Sequence, residues 1–536
     1  MEKRVLLAIV LSFAVLGFYP VLLSKFYPGY NKPSARVAAP PAASSGPVKP
    51  ALPADSGNVL SEDKDTAFQT NKLDLLFNAE GGAIREVAFP AYVDSETGKP
   101  LKFLSLDRPG GPSEIRFLSA AAASDPALSG YKIERRGDEI VATAAGKALR
   151  VTKRFRADEA GYGGAMSLTF ENLSGAPFEL RYQLLVGSRI PARQAIDSQY
   201  IEANFYSGPA EKKAVSHIRE SKRGKTVQSP SAVDWVAVKD RHFSIIIQPR
   251  LDLAFTGLVE GLGDNAFSAS LVSPAVLLPA GGSAEHPFVT YFGPNELKAL
   301  APLGLDPLVN FGKLDWIGKL LLGALELLQK IFRNYGLAII ALTVLINVLL
   351  FPLTRVSYMS MKRMQLIQPQ INKLREQNKK NPEKLNREMM ELYKKHKVNP
   401  FGGCLPMVLQ MPVFIALYVA LSKAVALRNS GLLWVNDLSS PDSVPLPFSL
   451  PLLGNEVHVL PLIMVGAMVL QQKFTQIKME GQDPAMASQQ KMMAIMMPIV
   501  FGFMFYTMPS GLVLYWLTNT ILMSLYQWRL KKVTLA

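Results

Sequence analysis

GLAIIALTVLINVLLFPL, residues 336–353, is eighteen residues long, carries no charge and contains one strongly polar side chain, Asn347. A run of that length and polarity predicts a helix that crosses a membrane rather than one buried in a soluble core. The next stretch, Arg355 to Lys397, holds twelve Lys and Arg against four Glu, and a second apolar run follows at Phe401–Leu427. A short basic loop between two spans belongs in the cytoplasm. Within that loop Met364, Ile367, Ile371 and Leu374 lie at helical spacing, as do Leu385, Met389 and Leu392, with Asn378–Pro382 between the two sets. The pattern predicts two amphipathic helices folded as a hairpin over 355–397, with Pro369 kinking the first.

Working outward, further apolar stretches occur at His458–Leu470, Lys491–Thr507 and Gly511–Trp528. With the first two runs they make a five-span core over residues 335–536. The dozen apolar residues at Val459–Leu470 fall short of the roughly 20 that cross a full bilayer, so that span borrows neighbours or thins the membrane. Arg529, Lys531 and Lys532 place the C-terminus inside. At the other end, Lys3 and Arg4 precede an apolar run from Val5 to Leu23 with no evident cleavage site, which reads as a retained anchor over 1–27 with a cytoplasmic N-terminus. Six spans result. The Pro/Ala/Ser-rich segment 28–59 is a tether.

Residues 60–294 change to period two. Met166, Leu168 and Phe170 alternate with polar residues, and so do Phe178, Leu180, Tyr182 and Leu184, with a turn-rich Asn172–Pro177 that predicts a hairpin between them. Phe243, Ile245 and Ile247 repeat the pattern. Strands with one wet face predict a large exported antiparallel β-sandwich. Residues 295–334 connect it to the core. Their Asp315–Phe332 segment has helical apolar spacing with three charges, Lys319, Glu326 and Lys330, and reads as an amphipathic helix lying on the outer membrane surface. On this reading 28–334 lie outside, and the sandwich meets the core only through flexible sequence and that helix.

The formal charge of +15 is clustered beside the spans. It serves orientation and anionic lipid headgroups rather than sequence-specific nucleic-acid binding. One cysteine, Cys404, rules out an intramolecular disulfide, and five scattered histidines offer no metal-ligand spacing, so neither metal nor cofactor is expected. His217, His242 and His286 have no partner motif. The predicted spans contain no Asp or Glu, which removes the usual ion or proton site of a pump. They contain amides instead: Asn347, Gln410 and Asn519 fall at similar depths, a pattern that fits groups facing one another or a hydrated cavity and equally fits isolated hydrogen bonds between helices. Eighteen of the twenty methionines follow Thr354, among them Met407, Met411, Met497 and Met504. Flexible thioethers suit a surface that accepts many apolar partners, and equally suit ordinary packing between helices.

Three segments carry a resemblance: FPLTRVSYMSMKRMQLIQPQI (351–371), KVNPFGGCLPMVLQMPVFIALY (397–418) and MPSGLVLYWLTN (508–519). They are similar to the YidC membrane protein insertase family of Gram-negative bacteria, in order and in place between spans. The resemblance implies a multi-pass inner-membrane protein, not an enzyme, with a groove open to cytoplasm and lipid. Thr343, Tyr515 and Trp516 would line that groove with the three amides. A nascent segment would slide along the third and fifth spans. The hairpin, with Lys362, Arg363, Lys373, Arg375, Lys394 and Lys395, would receive nascent membrane proteins from the ribosome and the signal-recognition machinery, alone or beside the Sec translocon. The sandwich would resemble those of sugar-binding enzymes without their activity. Where the family commonly has a groove arginine this chain has Asn347. A transporter or an anchored glycan-active protein are the competing readings; the first needs an intramembrane charge, the second a carboxylate or histidine pair in 60–294.

Overall fold

The computed structural model describes residues 60–531 except 62–63, 95–96, 159–160, 189, 191–199, 210–212, 220–223, 251–252, 264–265, 312–313, 379–380, 397, 399–404, 451–453 and 476–483. The expected anchor and tether at 1–59 lie outside the described residues, as does Cys404. Residues Ala51–Ala536 form one compact unit.

The strand-rich region contains three sheets, of four, 13 and two strands. A four-stranded antiparallel sheet, Asp65–Gln69 through Pro100–Ser105, lies against a 13-stranded one. Phe89 of the small sheet stacks on Phe243 of the large one with ring centroids 4.6 Å apart, and Phe77 meets Phe155 at 5.5 Å. Such pairs add about 0.5–1.5 kcal/mol each beyond burial of their area. Strand Leu149–Ala157 keeps the alternation expected of a strand with one wet face. Tyr182–Ser188 does not, because every residue in it is buried. It lies between Ile115–Phe117 and Ala266–Val272 with both faces covered, so period two understates the hydrophobicity of the central strands.

The expected hairpin around Asn172–Pro177 is absent. Gly163–Asn172 pairs with Leu149–Ala157 and Ser283–Pro294, whereas Phe178–Leu180 pairs with Val276–Leu278. Asn172 explains the difference. Its amide donates to the Ala176, Leu278 and Pro279 carbonyls at 2.8, 3.2 and 3.0 Å, steering the chain onto a different strand. A turn-rich hexapeptide marks a reversal without naming its partner.

Seven helices concern the membrane part. They are α1 (Asp315–Phe332), α2 (Tyr335–Gln377), α3 (Pro382–Lys395), α4 (Leu405–Lys423), α5 (Val459–Thr475), α6 (Pro484–Tyr506) and α7 (Ser510–Lys531). Helix α2 continues without a break through Pro352 and Pro369, so the first hairpin helix is an extension of the first span. Among the described residues one helical stretch, Tyr335–Met364, is long and apolar enough to cross a membrane by itself. Gln410–Lys423, Val459–Lys473 and Ala494–Tyr506 are shorter apolar stretches. Gly502 lets α6 approach α5 closely, since a Cβ there would sit 2.6 Å from the Val465 side chain.

The sandwich rests directly on the helices, contrary to the expectation of a flexible join. Val425, just past α4, belongs to the apolar core of the sandwich, and Val419 and Leu322 pack on a second cluster around Trp235 and Phe311. Arg241, at the hairpin tip before strand Phe243–Pro249, is 3% exposed. Its guanidinium donates to the Ser422 carbonyl and, at 2.8 Å, to the Ser439 carbonyl. The Asp240 carboxylate fixes the tip by accepting from the His242 and Phe243 amides, both at 2.7 Å. Carbonyls in the last turn of a helix lack intrahelical donors and carry the negative end of its dipole, so a cation there is doubly favourable.

Candidate functional site: polar pairs between helices

Asn334 opens α2, accepting from the Leu337 amide at 3.0 Å and donating to the Gly431 carbonyl at 3.0 Å. From this cap the helix carries Thr343 and Asn347 inward. Thr343 is fully buried and its hydroxyl donates back to the Ile339 carbonyl at 2.7 Å. Asn347 donates to the Thr343 carbonyl at 2.8 Å and to the Asn519 side-chain oxygen on α7 at 3.0 Å. Gln410 of α4 hydrogen-bonds the Tyr515 hydroxyl of α7. Two of the three amides therefore meet each other, and the third meets a phenol. In an apolar layer each such bond between helices contributes about 0.6–2 kcal/mol.

Around these pairs the burial is graded. Tyr515 is fully buried, while Asn347, Gln410, Trp516 and Asn519 are half-buried. The Trp516 ring lies 5.1 Å from Phe414, 5.3 Å from Phe501 and 5.3 Å from Phe505, joining α4, α6 and α7. Thr343 and Tyr515 thus sit behind the half-buried row rather than at its surface. Of the four singled-out methionines, Met411 and Met504 are exposed and Met497 is half-buried. The Met407 side chain lies outside the described residues. Helix α6 also exposes Ile495, Ile499 and Phe503, four residues apart each time, with Phe503 86% exposed. That stripe has no methionine and was not evident from counting methionines.

In the hairpin formed by the far half of α2 and α3, the apolar stripes close on each other. Ile367, Ile371 and Val398 are buried, with Met364, Met389, Leu392 and Tyr393 against them. Asn378 donates to Glu388 at 2.7 Å across the turn, and Asn381 caps α3 by accepting from the Lys384 amide at 3.1 Å. Arg363, Lys373, Lys394 and Lys395 are exposed, and Lys362 and Arg375 are half-buried.

In the sandwich one histidine does have a carboxylate partner. His217 lies 3.0 Å from Glu202, which also takes Lys239 at 3.0 Å and Arg219 at 3.1 Å. Burial alone would raise the Glu202 carboxyl, but the His217 hydrogen bond and the Lys239 charge hold it well below the usual range. A carboxylate saturated by three donors is neither a free base nor an acid. A depressed folded pKa contributes stability above the unfolded value and loses it as pH falls. Glu202→Gln is therefore expected to cost about 3 kcal/mol near pH 7. In thermal melts the gap to the parent narrows below about pH 4.5; a gap independent of pH would contradict this. His286 lies 2.7 Å from the Tyr182 hydroxyl, and burial lowers its pKa.

Two family models match the chain: 60Kd inner membrane protein over residues 327–535 and YidC periplasmic domain over 65–324. The Membrane protein insertase YidC of Syntrophus aciditrophicus is 32% identical over 565 residues, covering 97% of this chain and 98% of that protein. The chain belongs to the YidC membrane protein insertase family. The YidC of Citrifermentans bemidjiense is 32% identical, covering 97% of each chain. A crystal structure of an active YidC insertase aligns over 89% of this chain and 94% of its own, at 19% identity and a TM-score of 0.38. As a YidC-family chain it is an inner-membrane protein with a β-rich periplasmic domain, and it acts in membrane protein biogenesis. Arg241, which ties that domain to α4, left no mark in the sequence: a lone arginine in a strand-rich region has no distinguishing spacing.

Proposed function

We propose that this chain inserts nascent proteins into the inner membrane by way of the half-buried polar row on α2, α4 and α7. The observation that carries the proposal is the Asn347–Asn519 bond between the apolar stretch of α2 and helix α7. Side-chain amides retain lone pairs and N–H groups that hold water or a passing polar tail, which lowers the cost of bringing that tail through the apolar layer. Burial of the substrate's apolar segment in lipid supplies the driving force. The exposed faces of α4 and α6, including Met411, Met504 and Phe503, offer that segment a surface. The basic faces of α2 and α3 meet clients arriving from the ribosome, the signal-recognition machinery or the Sec translocon. Depletion of the protein followed by a census of inner-membrane proteins tests the function. Unchanged insertion of single- and double-span proteins would sink it.

The proposed topology has six spans with both termini cytoplasmic and 28–334 periplasmic. Cysteines at Leu277 and Leu433, 69% and 85% exposed, are expected to react with an impermeant thiol reagent from outside in a Cys404→Ser background. One at the exposed Lys384 is expected to stay unlabelled until the membrane is opened. Labelling of Lys384→Cys in closed cells reverses the orientation.

A further inference from the structure

A cavity of about 120 Å³ lies where the sandwich, α1, the start of α2 and the end of α4 converge. At roughly 10–15 Å³ per water-sized site it holds on the order of ten heavy atoms. Its lining is divided by charge. Lys239, Arg219 and Lys423 line it with Glu202, the carboxylate already shared by Lys239 and Arg219. Lys423 donates to the Asn310 carbonyl at 2.8 Å and faces the Phe311 ring. That group of cations exceeds its carboxylate. Glu296 also lines the cavity, and its carboxylate forms no hydrogen bond or ion pair among the described residues. Lys298 pairs with Glu326 instead of Glu296, so burial and the nearby Glu326 charge push the Glu296 carboxyl up, only partly offset by the charges of Lys298 and Lys72.

The surroundings indicate what enters. Leu322 and Glu326 of α1 line the cavity, while Trp316, Leu320, Leu327 and Ile331 of the same helix are 61–69% exposed. A helix with that division lies at a membrane interface. Tyr335, the first residue of α2, is also in the wall, so the opening is level with the start of the apolar span. A ligand offered from that level carries a phosphate, and a cavity with surplus cations and an unpaired carboxylate suits one that also carries an ammonium.

We propose that this cavity binds the phosphoethanolamine headgroup of a periplasmic-leaflet phospholipid, with the phosphate at Lys239, Arg219 and Lys423 and the ammonium at Glu296. The proposal rests on the membrane orientation given above only for the choice of leaflet. The test is native mass spectrometry of the full-length protein in detergent with equimolar phosphatidylethanolamine and phosphatidylglycerol. The parent is expected to retain the ethanolamine lipid about tenfold better, the equivalent of about 1.4 kcal/mol. Glu296→Gln should abolish that preference while leaving phosphatidylglycerol binding unchanged. Lys423→Gln should weaken both lipids by about three- to tenfold. Both substituted side chains meet the cavity rather than the core, and melting curves of each variant check that the fold persists. No preference in the parent, or a preference that Glu296→Gln leaves intact, overturns the assignment. So does a rise in melting temperature with soluble phosphoethanolamine when neither lipid is retained, which would make the ligand a soluble phosphoester. Binding in detergent does not depend on which side the cavity faces, so reversed cysteine labelling would change the leaflet and not the site.

Discussion

Asn347→Leu slows insertion of single-span substrates with neutral and acidic tails alike, by about three- to tenfold, in protease-protection assays with reconstituted protein. The substitution removes the bond to Asn519, 3.0 Å away on α7, and leaves that amide without its partner. It also removes the one strongly polar side chain from the apolar stretch of α2. An amide has no net charge, so its loss does not discriminate between tails. Asn347→Arg is expected to keep insertion and shift preference towards acidic tails, because it adds a fixed positive charge beside the same partner. If Asn347→Leu matches the parent for every tail, Asn347 is a packing residue and the hydrated-amide reading fails.

Arg241→Ala is expected to release the sandwich from the helices. Two carbonyls, those of Ser422 and Ser439, lose a buried charged donor, worth about 3 kcal/mol for the pair of bonds. The reporter is a disulfide between cysteines at Val93 and Asn429, whose parent residues are joined by a 3.2 Å hydrogen bond from the Asn429 amide to the Val93 carbonyl. In a Cys404→Ser background this pair should oxidise readily, and Arg241→Ala should slow it at least tenfold. Arg241→Lys should fall between, since one ammonium replaces a two-pronged guanidinium. Equal oxidation rates in all three would show that apolar contacts at Val425 and Val419 hold the domain unaided.

The places of the helices after residue 335 and the hairpin stripes could be read from the chain because each is a local pattern. The apolar run at 336–353 and the spacing of Met364, Ile367 and Ile371 report on neighbours three or four residues away. What escaped was set by distant partners. Asn172 chooses between strands more than 100 residues on, and Arg241 reaches carbonyls 181 and 198 residues away. The amides at 347 and 519 could be matched by depth, but depth does not fix rotation about a helix axis, and Gln410 turned to Tyr515 instead. Fully buried strands such as Tyr182–Ser188 also lose the alternation that would have placed them.

The unbroken course of α2 has a mechanical consequence. Its 43 residues make a rod about 64 Å long at 1.5 Å per residue, roughly twice the thickness of the hydrocarbon layer. Its far half carries the packed stripes of the hairpin, and its near half carries Asn347. Pro352 and Pro369 each remove one backbone hydrogen bond, giving the rod two compliant joints without breaking it. A force on the hairpin end is therefore carried along one helix to the segment bearing Asn347, by way of the joint at Pro352. Displacement of the hairpin end is partly absorbed at Pro352 before it reaches the Asn347–Asn519 contact, and stiffening the joint with Pro352→Ala would couple the two ends more tightly.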